Sequence, residues 1–198
     1  VFGAYGFWLP NDPRGSWSNF VGSLELFRHG AATKSDTRRS VAGQAHNQAQ
    51  RLAAKKALRY PAVRFTPEQM AAIGAGFETY FAKSATVAWA CAVLLDHVHV
   101  VLPRSGSRAV EQVVIQLKEA ATKELLAAAI HPLQRWAKSE QAPPKCFSRG
   151  QWVAYLSEAE EVARAVGYVT ANPTKEGLAP QRWPFVEWPP ISGCVSPV

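Results

Sequence analysis

Two small groups of residues in this chain have the types and spacing to do chemistry: the pair His97-Val98-His99, and Tyr168 with Asn172 four positions later. In an extended strand His97 and His99 project from one face, about 7 Å apart at the backbone, while Val98 and Val100 turn to the other. Two imidazoles so placed can converge on one cation. Imidazole suits transition metals, and Mg²⁺ or Mn²⁺ bound to a phosphate would complete its shell with oxygen ligands and water. A pair of hydrogen-bonded structural histidines is the plainer reading of the same residues. If the segment around Tyr168 is helical, Tyr168 and Asn172 leave one helix face about 6 Å apart along the axis. Asn172 could then offer an oxygen ligand while Tyr168 presents its hydroxyl to a phosphate on the same ion. Taken singly, Tyr168 also reads as a core or interface aromatic, and Asn172-Pro173 as a helix stop.

Such a constellation serves phosphodiester cleavage. Negative charge builds on the phosphate oxygens in that reaction, and a divalent ion can neutralise it while aligning the target. A tyrosine hydroxyl is mostly protonated at neutral pH, so metal proximity or a base must assist its attack. No base is evident in the sequence. A tyrosyl ester conserves the bond energy, so a free 3′-hydroxyl can reverse the step without a nucleotide cofactor.

The elements that must position these residues can be read from local pattern. Val1–Trp8 has a strand-rich composition and is stopped by Pro10, Asn11, Asp12, Pro13, Arg14 and Gly15. Residues 10–40 mix turn formers with scattered aromatics and the cations Lys34, Arg38 and Arg39, as a long functional loop would. Ser40 caps a helix expected over 41–59, with Arg51, Lys55, Lys56 and Arg59 sharing part of one face. Thr66-Pro67 opens a core helix over 67–83, with Met70, Ile73, Phe77 and Phe81 in one stripe. The apolar run 85–95 reads as a buried strand, joined by a tight turn near Asp96 to a second strand over 97–103. A helix over 108–129 turns Val110, Val113, Val114, Leu117, Ala121 and Leu125 inward. A strand over 151–156 and a helix opened by a Ser157-x-x-Glu160 capping box and closed by Pro173 complete the order. That order suits an α+β, ferredoxin-like split βαβ sandwich: an antiparallel sheet with the histidine pair on a central strand and helices on one face.

Composition narrows the partners. At 198 residues and 47% hydrophobic, the chain fits one domain over 1–198, with a basic insertion at about 10–65. Seven Trp, nine Phe and five Tyr argue for a packed chain. A net charge of +7 favours a polyanion such as nucleic acid, though a basic surface that aids solubility has the same charge. Cys91, Cys146 and Cys194 are odd in number and lack a CxxC pair, so neither a disulfide framework nor a zinc knuckle is expected, and a reducing, cytoplasmic setting is. No run approaches the ~18 apolar residues of a membrane span. The chain opens on Val1, and a strand is free to begin before it.

The histidine–hydrophobe–histidine pair, together with Tyr-x-x-x-Asn-Pro-x-Lys-x-Gly at 168–177, resembles the REP-associated tyrosine transposases, a branch of the single-tyrosine HUH nucleases. The resemblance extends over the opening YGFWLPNDPRGSW, the strand DHVHVVLP and the segment from CFSRGQW to RWPFVEW, most of the chain. It implies a ferredoxin-like fold, a DNA hairpin (a REP-like palindrome) with adjoining single strand as partner, and cutting beside the hairpin through a 5′-phosphotyrosine. On that resemblance His97 and His99 match the metal pair, Tyr168 the nucleophile and Asn172 the third ligand to Mg²⁺ or Mn²⁺. The chain departs from its relatives at Leu95, where they commonly have Pro, in the long 10–65 region, and at Phe147-Ser148-Arg149-Gly150, where many have Trp-Gln-Arg-Gly.

Hairpin recognition needs phosphate contacts and stacking on splayed bases. The candidates are Arg14, Lys118, Arg149 and Lys175 for phosphates, with Trp17 and Trp152 for bases. Lys118 also reads as a solvated helix residue, Lys175 as a charge complementing a helix dipole and Trp152 as a core strand residue. Trp183, Pro184, Phe185 and Trp188 are expected to pack a C-terminal tail onto the domain. The sequence thus points to a transposase or strand transferase acting on single-stranded DNA, nucleoid-associated, as a monomer or homodimer. A hairpin-binding protein without catalysis on the same fold is the alternative. A replication initiator or relaxase is a third reading, for which 198 residues leave little room for fused domains.

Overall fold

A computed structural model describes residues 1–9, 12, 24–30, 47–104, 108–139 and 141–189. Arg14, Trp17 and Cys194 lie outside the described residues, as does the start of the helix expected from 41. The described chain is mixed α/β. Its elements run β1 (Phe2–Gly3), α1 (Leu24–Phe27), α2 (Gln48–Lys56), α3 (Pro67–Ser84), β2 (Ala90–Val93), β3 (His97–Val101), α4 (Val110–Ala127), a 3₁₀ turn (Gln134–Trp136) and α5 (Ala159–Lys175).

The three strands form one antiparallel sheet in the order β1-β3-β2, which puts β3 in the middle. Phe2 faces Val98 and Gly3 faces His97 on one side, while Ala92 faces His99 and Val93 faces Val98 on the other. A hairpin joins β2 to β3, closed by the Leu94 amide donating to the His97 carbonyl at 2.8 Å.

Each long helix follows from its own sequence. Thr66 caps α3 through a reciprocal box, its hydroxyl accepting from the Gln69 amide while Gln69 Oε1 accepts from the Thr66 amide. The stripe Met70, Ile73, Phe77 and Phe81 is buried, as is Val113, Val114, Leu117, Ala121 and Leu125 of α4. These two stripes meet over Val93 and Val98, with Phe2 and Phe147 closing the cluster.

Helices cover both faces of the sheet, where one covered face was expected. Ala90, Ala92, Leu94 and Val101, which point away from α3 and α4, pack under Val166 and Val169 of α5. The reason lies in β2, whose four residues are all buried. A strand apolar on both faces must be covered on both.

Three further expectations are corrected. Residues 151–156 form no strand: this segment reaches β1 through hydrogen bonds between Trp152 and Val1, while the only bridge nearby is Ala4 with Phe147 among the described residues. Successive pairings at 147 and 152 are out of step by two residues, which breaks any regular ladder. Pro173 does not close α5, which runs to Lys175. The helix ends where Gly177 takes φ +74° and the Leu178 and Gly177 amides donate to the Pro173 and Thr174 carbonyls at 2.8 and 3.0 Å. Its start differs too. Glu158 is the N-cap without a side-chain bond, and the Ser157 amide donates to Glu161, not Glu160.

The C-terminal tail packs as expected. Phe185 is buried and stacks on Phe81 at 4.9 Å, with Trp183 stacked on Phe185 at 6.0 Å. Cys91 and Cys146 are buried free thiols. No helix among the described residues is long and apolar enough to cross a membrane.

Candidate active-site cleft

Strand alternation sets the site. Val98 enters the α3–α4 core, so His97 and His99 face the side that α5 covers. Their rings lie 4.9 Å apart between centroids, at 67° to one another. Asp96 Oδ1 accepts from His97 Nδ1 at 2.8 Å, which fixes the ring and leaves Nε2 free to bind a cation. Phe7 stacks on the other side of His97, 4.6 Å away and nearly parallel. That contact depends on Gly3, directly across from His97 in the sheet. A Cβ at Gly3 would stand 2.4 Å from the Phe7 ring, so only glycine lets Phe7 fold back over β1.

Burial, reinforced by the charge of His97, pushes the His99 imidazole down to about 3. His99 is therefore neutral at ordinary pH, with a lone pair available to a cation. Neutral imidazole beside a ring held by a carboxylate is the donor chemistry that a divalent ion takes. Among the described residues no group of three or more His, Cys, Asp and Glu side chains is arranged to hold a metal ion by itself. A cation here would rest on the two histidines, with amide, phosphate or water oxygens completing its shell.

Helix α5 brings the tyrosine. Val162, Val166, Val169 and Pro173 recur at helical spacing and face the sheet. Tyr168, one residue before Val169, stands about 100° round the axis, at the border of that buried stripe. It is 53% exposed, yet its ring lies 5.7 Å from that of His99. Lys175 Nζ sits 5.0 Å over the Tyr168 ring from two turns further on. Asn172 is buried on α5, one turn beyond Tyr168, and does not line the cleft.

His97, His99 and Tyr168 share an open cleft with a volume of about 1510 Å³. Trp152 lines it as well, together with residues that sequence reading had not singled out: Trp8, Trp89, Tyr155, Arg104 and Arg108. Comparison of the chain with protein-family models, with curated proteins and with solved structures finds no match. The site therefore stands on its own geometry.

Of the remaining candidates, Arg149 and Lys175 are exposed. Lys118 is half-buried and tied down: its ammonium donates to the Ser148 and Gly150 carbonyls at 2.9 and 3.0 Å and lies 5.2 Å from the Phe2 ring centroid. Burial, with Lys145 adding to it, lowers that ammonium to about 8. Lys118 thus anchors the 148–150 segment beside β1. Asp96 carried a sequence signal, an acid next to the histidine pair. Phe7 and Gly3 carried none, because their meeting with His97 is made by strand pairing across more than ninety positions.

Proposed function

We propose that this protein is a metal-dependent single-stranded DNA endonuclease and strand transferase, a transposase that cuts beside DNA hairpins through a 5′-phosphotyrosine on Tyr168. The observation that carries the reading is the position of Tyr168: an exposed hydroxyl-bearing ring 5.7 Å from His99, in the cleft that also holds His97. A nucleophile and an ion site side by side are what in-line attack on a phosphodiester requires. Mg²⁺ or Mn²⁺, held by His97 and His99 with phosphate or water oxygens completing its shell, would supply charge neutralisation at the phosphate; Asn172, buried on α5 off the cleft lining, is not counted among the ligands.

The chain's own residues do the rest. Asp96 and Phe7 hold His97 in one orientation. Lys175 Nζ, 5.0 Å from the Tyr168 ring centroid, places a cation beside the position a target phosphate would take. Trp152 and the basic surface offer a base-stacking platform and phosphate contacts. The ferredoxin-like fold belongs to the same proposal: residues 146–152 lie beside β1, and counting them as a fourth, irregular strand extends the order β1-β3-β2 to the one such a fold has.

The test is incubation with Mn²⁺ and a pool of hairpin-flanked single strands, followed by sequencing of the DNA covalently attached to Tyr168. Tyr168→Phe should lose the adduct and keep hairpin binding, and EDTA should abolish the adduct in the parent protein. An adduct undiminished in Tyr168→Phe would reject the assignment of the nucleophile. Hairpin binding with no adduct under any metal would leave a binding protein instead.

A further inference from the structure

We propose that a DNA strand leaving the cleft continues past the start of α4 into a second, cationic groove between α3 and α4, where its phosphates are held. This rests on the nucleic-acid reading of the cleft and extends it to a surface on the other side of the sheet. Arg108 makes the connection. It lines the cleft, and it also lines a smaller groove of about 270 Å³ bounded by Lys83 of α3 and Gln116, Glu119 and Lys123 of α4.

The groove's charge is suited to a polyanion. Lys83, Arg108 and Lys123 are exposed cations against the single carboxylate of Glu119. Glu119 and Lys123 are four apart on α4, the spacing of a helical ion pair, yet among the described residues none of the three cations is engaged in an ion pair. Their charge is left to solvent or to a ligand. Arg104, on the cleft side, adds a fourth cation at the point where the strand would turn the corner.

The dimensions match a strand. From Val110 to Lys123, α4 rises about 20 Å, the axial length of roughly six phosphates on one DNA strand. Tyr80 of α3 also lines the groove and offers a ring beside the phosphate path. Cations spaced along an open groove suit a continuous backbone better than a free nucleotide.

Fluorescence polarisation with labelled single strands of about 6 and about 20 nucleotides, read across a salt series, tests the track. For the unmodified protein the slope of log K against log salt should be steeper with the longer strand. In Lys83→Gln/Lys123→Gln that extra steepness should shrink by about 1.4, since each lost phosphate contact on a single strand removes about 0.7. Lys83→Arg/Lys123→Arg keeps the charge and should restore it. An unchanged slope in the glutamine variant, or no steepening with length in the parent protein, would overturn the proposal. The adduct assay separates this from the nuclease reading. A slope change without any adduct would leave the track and remove the nuclease, whereas an adduct with an unchanged slope would do the reverse.

Discussion

On one face of the central strand, Val98 lies beneath α3 and α4 in a core of aromatic and branched side chains, and on the other His97 and His99 look into an open cleft. The helices over the first face approach closely. At Gly76 a Cβ would meet backbone atoms of Ala120 and Ala121 at 2.7 Å. On the second face α5 covers β2 with Val166 and Val169 but leaves the histidines beside Tyr168 accessible. The difference teaches a division of labour: the closed face supplies rigidity, and the open face uses that rigidity to hold polar groups at fixed separations.

Substitutions that separate stability from activity would sharpen or break this contrast. The largest expected effect is on the open face, where Tyr168→Phe should reduce covalent adduct to background. Because the residue is 53% exposed, its urea midpoint should move by no more than about 0.5 kcal/mol equivalent. A large loss of stability would mean that Tyr168 is part of the core.

Gly76→Val tests the closed face. The added methyls have only helix backbone to displace, so chemical denaturation should show a loss of about 3 kcal/mol. The adduct yield of the folded fraction should change little. A specific loss of cleavage in fully folded protein would show the two faces to be coupled.

Asp96→Asn addresses how the open face holds His97. Removing the carboxylate that accepts from Nδ1 should weaken Mn²⁺ binding roughly 10- to 100-fold, measured by calorimetry, with circular dichroism unchanged. Unaltered Mn²⁺ affinity would detach Asp96 from the proposed ion site.

The smallest effect concerns His131, on the closed side. It is 4% exposed; its Nδ1 accepts from the Leu133 amide, and Nε2 has no partner. Burial lowers its pKa from 6.5. The folded chain therefore takes up this proton at a lower pH than the unfolded chain, so stability falls as pH falls below 6.5. His131→Asn keeps the acceptor and removes the titration. Between pH 7 and 5, its stability should fall less steeply than that of the parent protein, by at most about 1.4 kcal/mol per pH unit. Parallel pH profiles would exclude His131 as a source of acid sensitivity.

Much of the scaffold was legible because its signals are local. The Thr66 box and the stripes of α3 and α4 depend only on residues within a few turns, and both helices appear within two residues of their expected ends. The strand expected over 151–156 did not form for the opposite reason. This segment meets the start of the chain, and the two-residue slip between Phe147 and Trp152 is a property of that pairing alone. Pro173 misled because a missing amide in the last turn removes one bond, whereas Gly177 governs the reversal that ends the helix.

The sequence by itself determined that His97 and His99 share one face of a strand, and that Tyr168 and Asn172 share one face of a helix, since strand alternation and the helical repeat are backbone geometry. Only the tertiary structure decided that these two faces meet. Burial of β2 on both sides draws α5 across the sheet and sets the Tyr168 ring beside His99, while leaving Asn172 off the cleft lining. The same packing folds Phe7 onto His97 through Gly3 and turns Lys118 onto two carbonyls. Such contacts join residues distant in the chain, and their free energy comes from excluding water between whole elements, which no short window of sequence encodes.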